Sequence, residues 1–280
     1  MIGQEKLKEV IDTICKTRGL PRFTIITGRK GQGKKTLVRE VAKRFNYLIV
    51  EVGNKVDDIR EAIELSYKQT EPIIYLLADA DDMSLGAKNS LLKVIEEPSQ
   101  RAYFMMTLEQ IENTLETIKS RAYVLNMEEY TDIEKQQMIT ELLPNRTVEE
   151  KNILHIANNY GQMQKIISYG TLDFYNYVEK VYKNIYKVQS ANSFKLAEKL
   201  DLKNDNNGYD LELFFIFYNY FVGINIYDCE DAAELNCLYD CVSITCKYKN
   251  LLSTKGINRQ MLVDMWILDI RKAWLSNEAK

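Results

Sequence analysis

Between Gln4 and Arg18 the apolar residues Leu7, Val10, Ile11, Ile14 and Cys15 recur at the spacing of one helix face, and Gly19 with Pro21 closes the segment. Short β-rich runs follow at Phe23–Thr27, Tyr47–Val52, Ile73–Ala78, Ala102–Thr107 and Tyr123–Met127. Most are separated by helical patterns such as Leu37, Val38, Val41, Ala42 and Phe45, and strands alternating with helices predict a parallel α/β sheet covered on both faces. After Met127 the β signal ends. Thr131–Leu143 and Thr147–Asn158 predict two short helices parted by Pro144 and Asn145, and beyond Gly170 long helical patterns are broken only at Asn204–Gly208 and Ser253–Gly256. The organisation expected is an α/β domain at 1–127, a small helical domain at 128–170 and an all-helical domain at 171–280.

Composition narrows the class. With 46% hydrophobic and 28% charged residues among 280, the chain can bury a sizeable core, which excludes disorder and low complexity. The net charge of −3 excludes a protein drawn to nucleic acid by its overall field, so any DNA contact is local or shared with a partner. The five cysteines, Cys15, Cys229, Cys237, Cys241 and Cys246, lack paired zinc-ligand spacing, and the single histidine, His155, is far from them in sequence; they read as buried helix cysteines with no zinc. The start MIGQEKLKEV has no apolar signal stretch, so a reduced, cytoplasmic protein is expected. The apolar stretch Leu211–Ile226 is interrupted by Glu212 and Asn219 and is too short to span a bilayer.

The chemistry is concentrated after the first strand run. Gly28-Arg29-Lys30-Gly31-Gln32-Gly33-Lys34 has the GxxxxGK spacing of a phosphate-binding loop in the expected strand–loop–helix setting. Gly28, Gly31 and Gly33 let backbone N–H groups converge on an anion, the helix N-terminus adds partial positive charge, and Lys34 reaches the outer phosphates. At the next position, where a Ser or Thr hydroxyl holds Mg²⁺, stands Lys35. Thr36 is one residue further, rotated by about 100° around the helix. A partner strand, Ile73–Leu77, should end in a metal-binding Asp and an adjacent Glu; it is followed by Ala78-Asp79-Ala80-Asp81, so one carboxylate is missing in either register. Two lesions in one metal site predict weak or absent hydrolysis, a weak ATP or ADP site with Mg²⁺ in doubt, and no metal ligands.

These motifs, with Ile2-Gly3-Gln4-Glu5, Gly19-Leu20-Pro21, Asp57-Asp58-Ile59-Arg60, Ala87-Lys88-Asn89-Ser90-Leu91-Leu92-Lys93, Glu96-Glu97-Pro98 and Ser120-Arg121, fall in an order that resembles the AAA+ clamp-loader proteins, specifically the delta-prime subunits of bacterial DNA polymerase III. The resemblance covers roughly the first 125 residues. It implies an AAA+ P-loop domain, a small helical lid and a helical collar, and it favours the register in which Ala78 occupies the magnesium position. It also places Thr107 as the sensor residue of the fourth strand and Arg121 as an arginine acting in trans on a neighbouring subunit's nucleotide. Gly161-Gln162-Met163-Gln164 lacks the lid arginine of some members, and the run from Phe45 to Asp57 lacks their four-cysteine zinc module, as in a divergent or phage-like version. The implied partners are other clamp-loader subunits (delta and the ATPase subunits), the sliding clamp and primed DNA within the assembly. The rival readings are an active motor with a metal site rebuilt from Thr36, Asp79 and Asp81, and a stand-alone nucleotide-binding switch.

Two further runs admit alternatives. Arg29, Lys30, Lys34, Lys35, Arg39, Lys43 and Arg44 against Glu40 alone read as a solvated basic face or as a contact for a phosphate-rich partner. Phe214, Phe215, Ile216, Phe217, Tyr218, Tyr220 and Phe221 cover too many faces for a helix with one wet side, so they read as core burial alone or as a surface that, with the closing helix Asn258–Trp274, buries against other subunits in a collar.

Overall fold

The computed structural model describes residues 2–17, 19–145, 147–187, 194–254 and 256–278. Arg18 at the foreseen end of the first helix, and the side chain of Cys15, lie outside the described residues. The described chain packs as two compact units, residues 1–138 with 159–161, and residues 139–158 with 162–280. The segment read as a separate lid is therefore divided between them.

In the first unit the elements are α1 (Glu5–Thr17), β1 (Phe23–Thr27), α2 (Lys34–Phe45), β2 (Leu48–Val52), α3 (Val56–Ser66), β3 (Ile73–Leu77), α4 (Leu85–Glu96), β4 (Ala102–Leu108), the single turn α5 (Glu116–Lys119), β5 (Tyr123–Asn126) and the start of α6 (Asp132–Leu142). All five strands are parallel, in the order β2-β3-β4-β1-β5. The inner strands β1 and β3 are buried at every residue, which is why Phe-Thr-Ile-Ile-Thr and Ile-Ile-Tyr-Leu-Leu are nearly unbroken apolar runs. Successive side chains of β3 alternate between two cores. Ile73, Tyr75 and Leu77 pack with Ile59, Leu91 and Ile118 from α3, α4 and α5, whereas Ile74 and Leu76 pack with Ile11, Leu37 and Val38 from α1 and α2. The helix after β1 thus covers one face and the helix after β4 the other. Their diverging connections open a crevice at the C-terminal ends of β1 and β4, where α/β sheets bind ligands.

The second unit is helical: the end of α6, α7 (Val148–Leu154), α8 (Tyr160–Ser168, entering from the first unit), α9 (Thr171–Asn184), α10 (Leu211–Asp228), α11 (Ala232–Leu251) and α12 (Arg259–Glu278). The helix expected over 147–158 stops at Leu154, and α8 forms where the sequence pattern offered no helix. α10 packs on α9 and α11, and α11 packs on α12. Of the aromatic run, Phe214, Phe215, Phe217 and Tyr218 are fully buried in the core of their own unit, the first of the two alternatives, whereas Tyr220 is exposed. Phe214, Phe215 and Tyr218 meet the buried Trp266 edge-on at 4.9–5.4 Å between centroids, and the indole N–H donates to Thr245 Oγ1 at 3.0 Å. Trp266 on α12 needs aromatic neighbours on several faces, and α10 supplies them. Of the cysteines, Cys237 and Cys241 are buried on α11, whereas Cys229 and Cys246 are partly exposed, which corrects the reading of them all as buried. Among the described residues no helix is long and apolar enough to cross a membrane.

Candidate nucleotide site

The loop between β1 and α2 is held in shape by its outward carbonyls. Tyr130 donates its hydroxyl to the carbonyl of Gln32 at 2.5 Å, Gly161 N–H donates to the carbonyl of Gly31 at 3.1 Å, and Asn159 Nδ2 donates to that of Lys30 at 3.1 Å. Because each peptide is planar, a carbonyl tied outward turns the next N–H the opposite way, so the N–H groups of Gly31 and Gly33 face into the loop. Gly31 has φ +82°, and a Cβ there would stand 2.6 Å from Asn159 Oδ1, so the left-handed backbone and the close neighbour both require glycine. Gly33 is the N-cap of α2 and makes no side-chain capping bond. One nest donor is already engaged: Arg29 N–H is accepted by Gln32 Oε1 at 2.5 Å.

Lys34 is buried at the base of this loop, its ammonium donating to the carbonyls of Gly28 at 2.6 Å and Arg29 at 3.1 Å. Burial pushes its pKa down, opposed by the negative charges of Glu109, Asp79 and Asp81. Glu109 is a pocket residue that the sequence did not single out. Burial pushes its carboxyl up, and Lys34 pulls it back. The available signal was its position, the first residue after β4 and two beyond Thr107.

The carboxylate strand delivers Asp79 in a left-handed conformation, φ 49° and ψ 50°. Three bonds hold it there: its N–H donates to Thr107 Oγ1 at 2.9 Å, while Asn54 Nδ2 donates to the carbonyls of Ala78 at 2.9 Å and Asp79 at 3.3 Å. Thr107 is fully buried, and its hydroxyl accepts from the Asp79 backbone. The Asp79 carboxylate receives the Lys35 ammonium at 2.8 Å, and the same ammonium lies 3.4 Å from Glu51. These contacts push the Lys35 pKa up, the Asp79 hydrogen bond most. Asp81 accepts from the N–H groups of Glu109 at 2.8 Å and Gln110 at 3.2 Å and from Asn113 Nδ2 at 2.9 Å. Thr36 is exposed on α2, and Ala78 packs with Leu37 and Val38 in the core.

The structure brings Gly28, Gly31, Gly33 and Lys34 together in one loop, with the Gly28 N–H donating to the carbonyl of Leu108 at 3.1 Å. The residues do not fit Mg²⁺. An ammonium replaces the hydroxyl at 35, a methyl occupies 78, and Asp79 is ion-paired. The structure does not gather Thr36, Asp79 and Asp81 into a substitute set, since Asp81 is engaged with the segment after β4.

The basic run is largely paired within the molecule: Arg29 with Glu129, Arg39 with Glu51 and Arg44 with Asp12. Arg121 stands apart from this cluster. Its side chain is 44% exposed and pairs with Glu96 at 3.4 Å rather than with Glu116, which is held by Lys119 at 2.7 Å. Gly161 packs on the loop so closely that a Cβ there would lie 2.6 Å from Gly31 Cα.

Five parallel strands in this order, with a phosphate loop after β1 and a carboxylate turn after β3, define an AAA+ P-loop fold. The family model "DNA polymerase III, delta subunit" matches residues 49–131. The delta' subunit of DNA polymerase III from Bacillus subtilis is 24% identical over 188 residues, 56% of this chain and 54% of that one. Over these stretches the chain is similar to clamp-loader subunits of DNA polymerase III. The gamma/tau subunit from Mycoplasma genitalium is 22% identical over 289 residues, 85% of this chain and 48% of that one. The chain spans about half or less of the length of the curated relatives it matches. A gamma subunit-related protein of DNA polymerase III from Thermotoga maritima, a solved structure, superposes with a TM-score of 0.50 at 16% identity, covering 96% of this chain and 98% of that one, a likeness of fold.

Proposed function

We propose that this chain is a delta-prime-like subunit of a replicative sliding-clamp loader, catalytically silent itself and acting as scaffold and as donor of Arg121 to a neighbouring subunit's nucleotide. The observation that carries the reading is the Lys35–Asp79 ion pair, which sits where a hydrolytic site holds its metal. A pocket with this pair binds ADP or ATP weakly through Gly28, Gly31, Gly33 and Lys34 but does not position a metal at the phosphates. Its partners are the delta and ATPase subunits, with the sliding clamp and primed DNA in the complete assembly, in the cytoplasm.

Arg121 supports the second half of the reading. The half-exposed guanidinium is held by the exposed Glu96 at 3.4 Å and by the Thr117 carbonyl at 3.1 Å, and such a surface ion pair contributes under about 1 kcal/mol, so a stronger anion can draw it away. A guanidinium neutralises charge spread over phosphoryl oxygens better than a point-charged ammonium. The test is reconstitution with the other loader subunits. Arg121→Ala is expected to enter the assembly normally and to lower its DNA- and clamp-stimulated ATPase by roughly tenfold or more. An assembled variant with undiminished ATPase removes the trans role.

A further inference from the structure

The pocket retains an anion cradle and has lost its metal ligands, and the residue that took the metal's place carries a charge. We propose that Lys35 is a tethered cation that replaces the divalent ion, so that this site takes a nucleoside polyphosphate in its metal-free form. The inference rests on the reading of the loop as a nucleotide site and adds what decides its cation requirement.

Three observations carry it. The Lys35 ammonium lies between two carboxylates, Asp79 at 2.8 Å and Glu51 at 3.4 Å, which reach it from the ends of β3 and β2. Glu51 is also fixed from its far side by Arg39 at 3.7 Å. Asp79 is not a loose partner, since its backbone is held by Thr107 and Asn54 in a conformation that few non-glycine residues adopt. A divalent ion binding Asp79 would have to displace an ammonium already hydrogen-bonded there, whereas a phosphate arriving over the loop meets Lys34 below and Lys35 beside it. The Asp79 side chain is 65% exposed, so an anion reaches the pair without unpacking the core. Two ammonium groups and the inward N–H groups neutralise a diphosphate through charge-assisted hydrogen bonds alone.

The experiment is calorimetry with ADP on the full chain, in EDTA and in excess Mg²⁺, for the wild type, Lys35→Thr and the double variant Lys35→Thr/Asp79→Asn. Lys35 is only partly buried at the start of α2, so its replacement leaves the core intact, and circular dichroism checks this. The wild type is expected to bind ADP with affinities equal to within about twofold in the two buffers. Lys35→Thr is expected to lose about tenfold in EDTA, the effect of one charge-assisted bond, and to recover it with Mg²⁺ through the new hydroxyl and the freed Asp79. The double variant should lose affinity in EDTA without that recovery. A wild-type affinity that rises tenfold or more with Mg²⁺, the absence of wild-type ADP binding in EDTA, or a Lys35→Thr variant identical to wild type in both buffers each overturns the proposal. Co-purification of the chain with other loader subunits tests the clamp-loader reading separately, because it needs no nucleotide at this loop.

Discussion

Lys35 and Ala78 are separate departures from the expected pattern when read along the chain, and the fold brings the first beside Asp79, the neighbour of the second. Position 35 begins α2 and position 79 follows β3, and only the strand order places both at the crevice where the Lys35 ammonium can neutralise Asp79. The sequence therefore exposed the missing groups but not the pairing, which depends on non-local geometry. Glu51 and Asn54 were illegible for the same reason, as neither belongs to a spaced motif. Gly161 carries a prediction at this scale. Its substitution by Ala forces a Cβ against the Gly31 backbone, which cannot give way as a flexible side chain would. Gly161→Ala is expected to destabilise the first unit by about 1–3 kcal/mol, read as a lower urea midpoint, and to weaken ADP binding with it. Equal midpoints for variant and wild type would show that the loop is not held from this side.

Among the elements, the segment from β5 to α6 fixes the phosphate loop. Gln4 pairs with the Glu128 peptide as another strand would: its Nε2 donates to the Glu128 carbonyl at 2.6 Å and its Oε1 accepts from Glu128 N–H at 2.9 Å. Gln32 donates to the same carbonyl at 3.1 Å, and Tyr130 returns a hydrogen bond to Gln32. Tyr130→Phe is expected to cost about 1 kcal/mol in denaturant unfolding. Burial, and then the charge of Glu134, pushes the Tyr130 phenol from 10.0 up to about 12. The folded state thus holds this proton more tightly than the unfolded state, so the associated stability is present in full below pH 10 and is lost as pH rises through about 12. Urea midpoints at about pH 9 and about pH 11 should converge between wild type and Tyr130→Phe, and a gap that widens with pH would contradict the assignment. The elements themselves were largely legible. The inner strands were visible as apolar runs because parallel strands are buried on both faces, and β2, β3, β4 and β5 each differ from the reading by only one terminal residue. Helix α8 was hidden because Asn158, Asn159 and Gly161 resemble a loop, and two of them are committed to or adjoin the phosphate loop.

For the whole molecule, exposed apolar side chains on α12 offer a surface on which the proposed association with other subunits can be tested. Helix α12 buries Leu262, Trp266 and Ile270 in its own unit and leaves Met261, Met265, Leu268 and Leu275 exposed at spacings of one helix face. Met265→Glu with Leu268→Glu should leave the melting temperature within a few degrees of wild type and weaken association with other loader subunits at least roughly tenfold in analytical ultracentrifugation. Unchanged association would move the subunit contact to another face. If Lys35 stands in the proposed anion cradle where a hydrolytic site holds its metal, the chain does not hydrolyse ATP. Steady-state ATP hydrolysis by the purified chain, in saturating ATP and Mg²⁺, tests this most directly. A rate at the no-enzyme background is predicted, and a turnover near the roughly 1 s⁻¹ or more of working enzymes, abolished by Lys34→Ala, would contradict it.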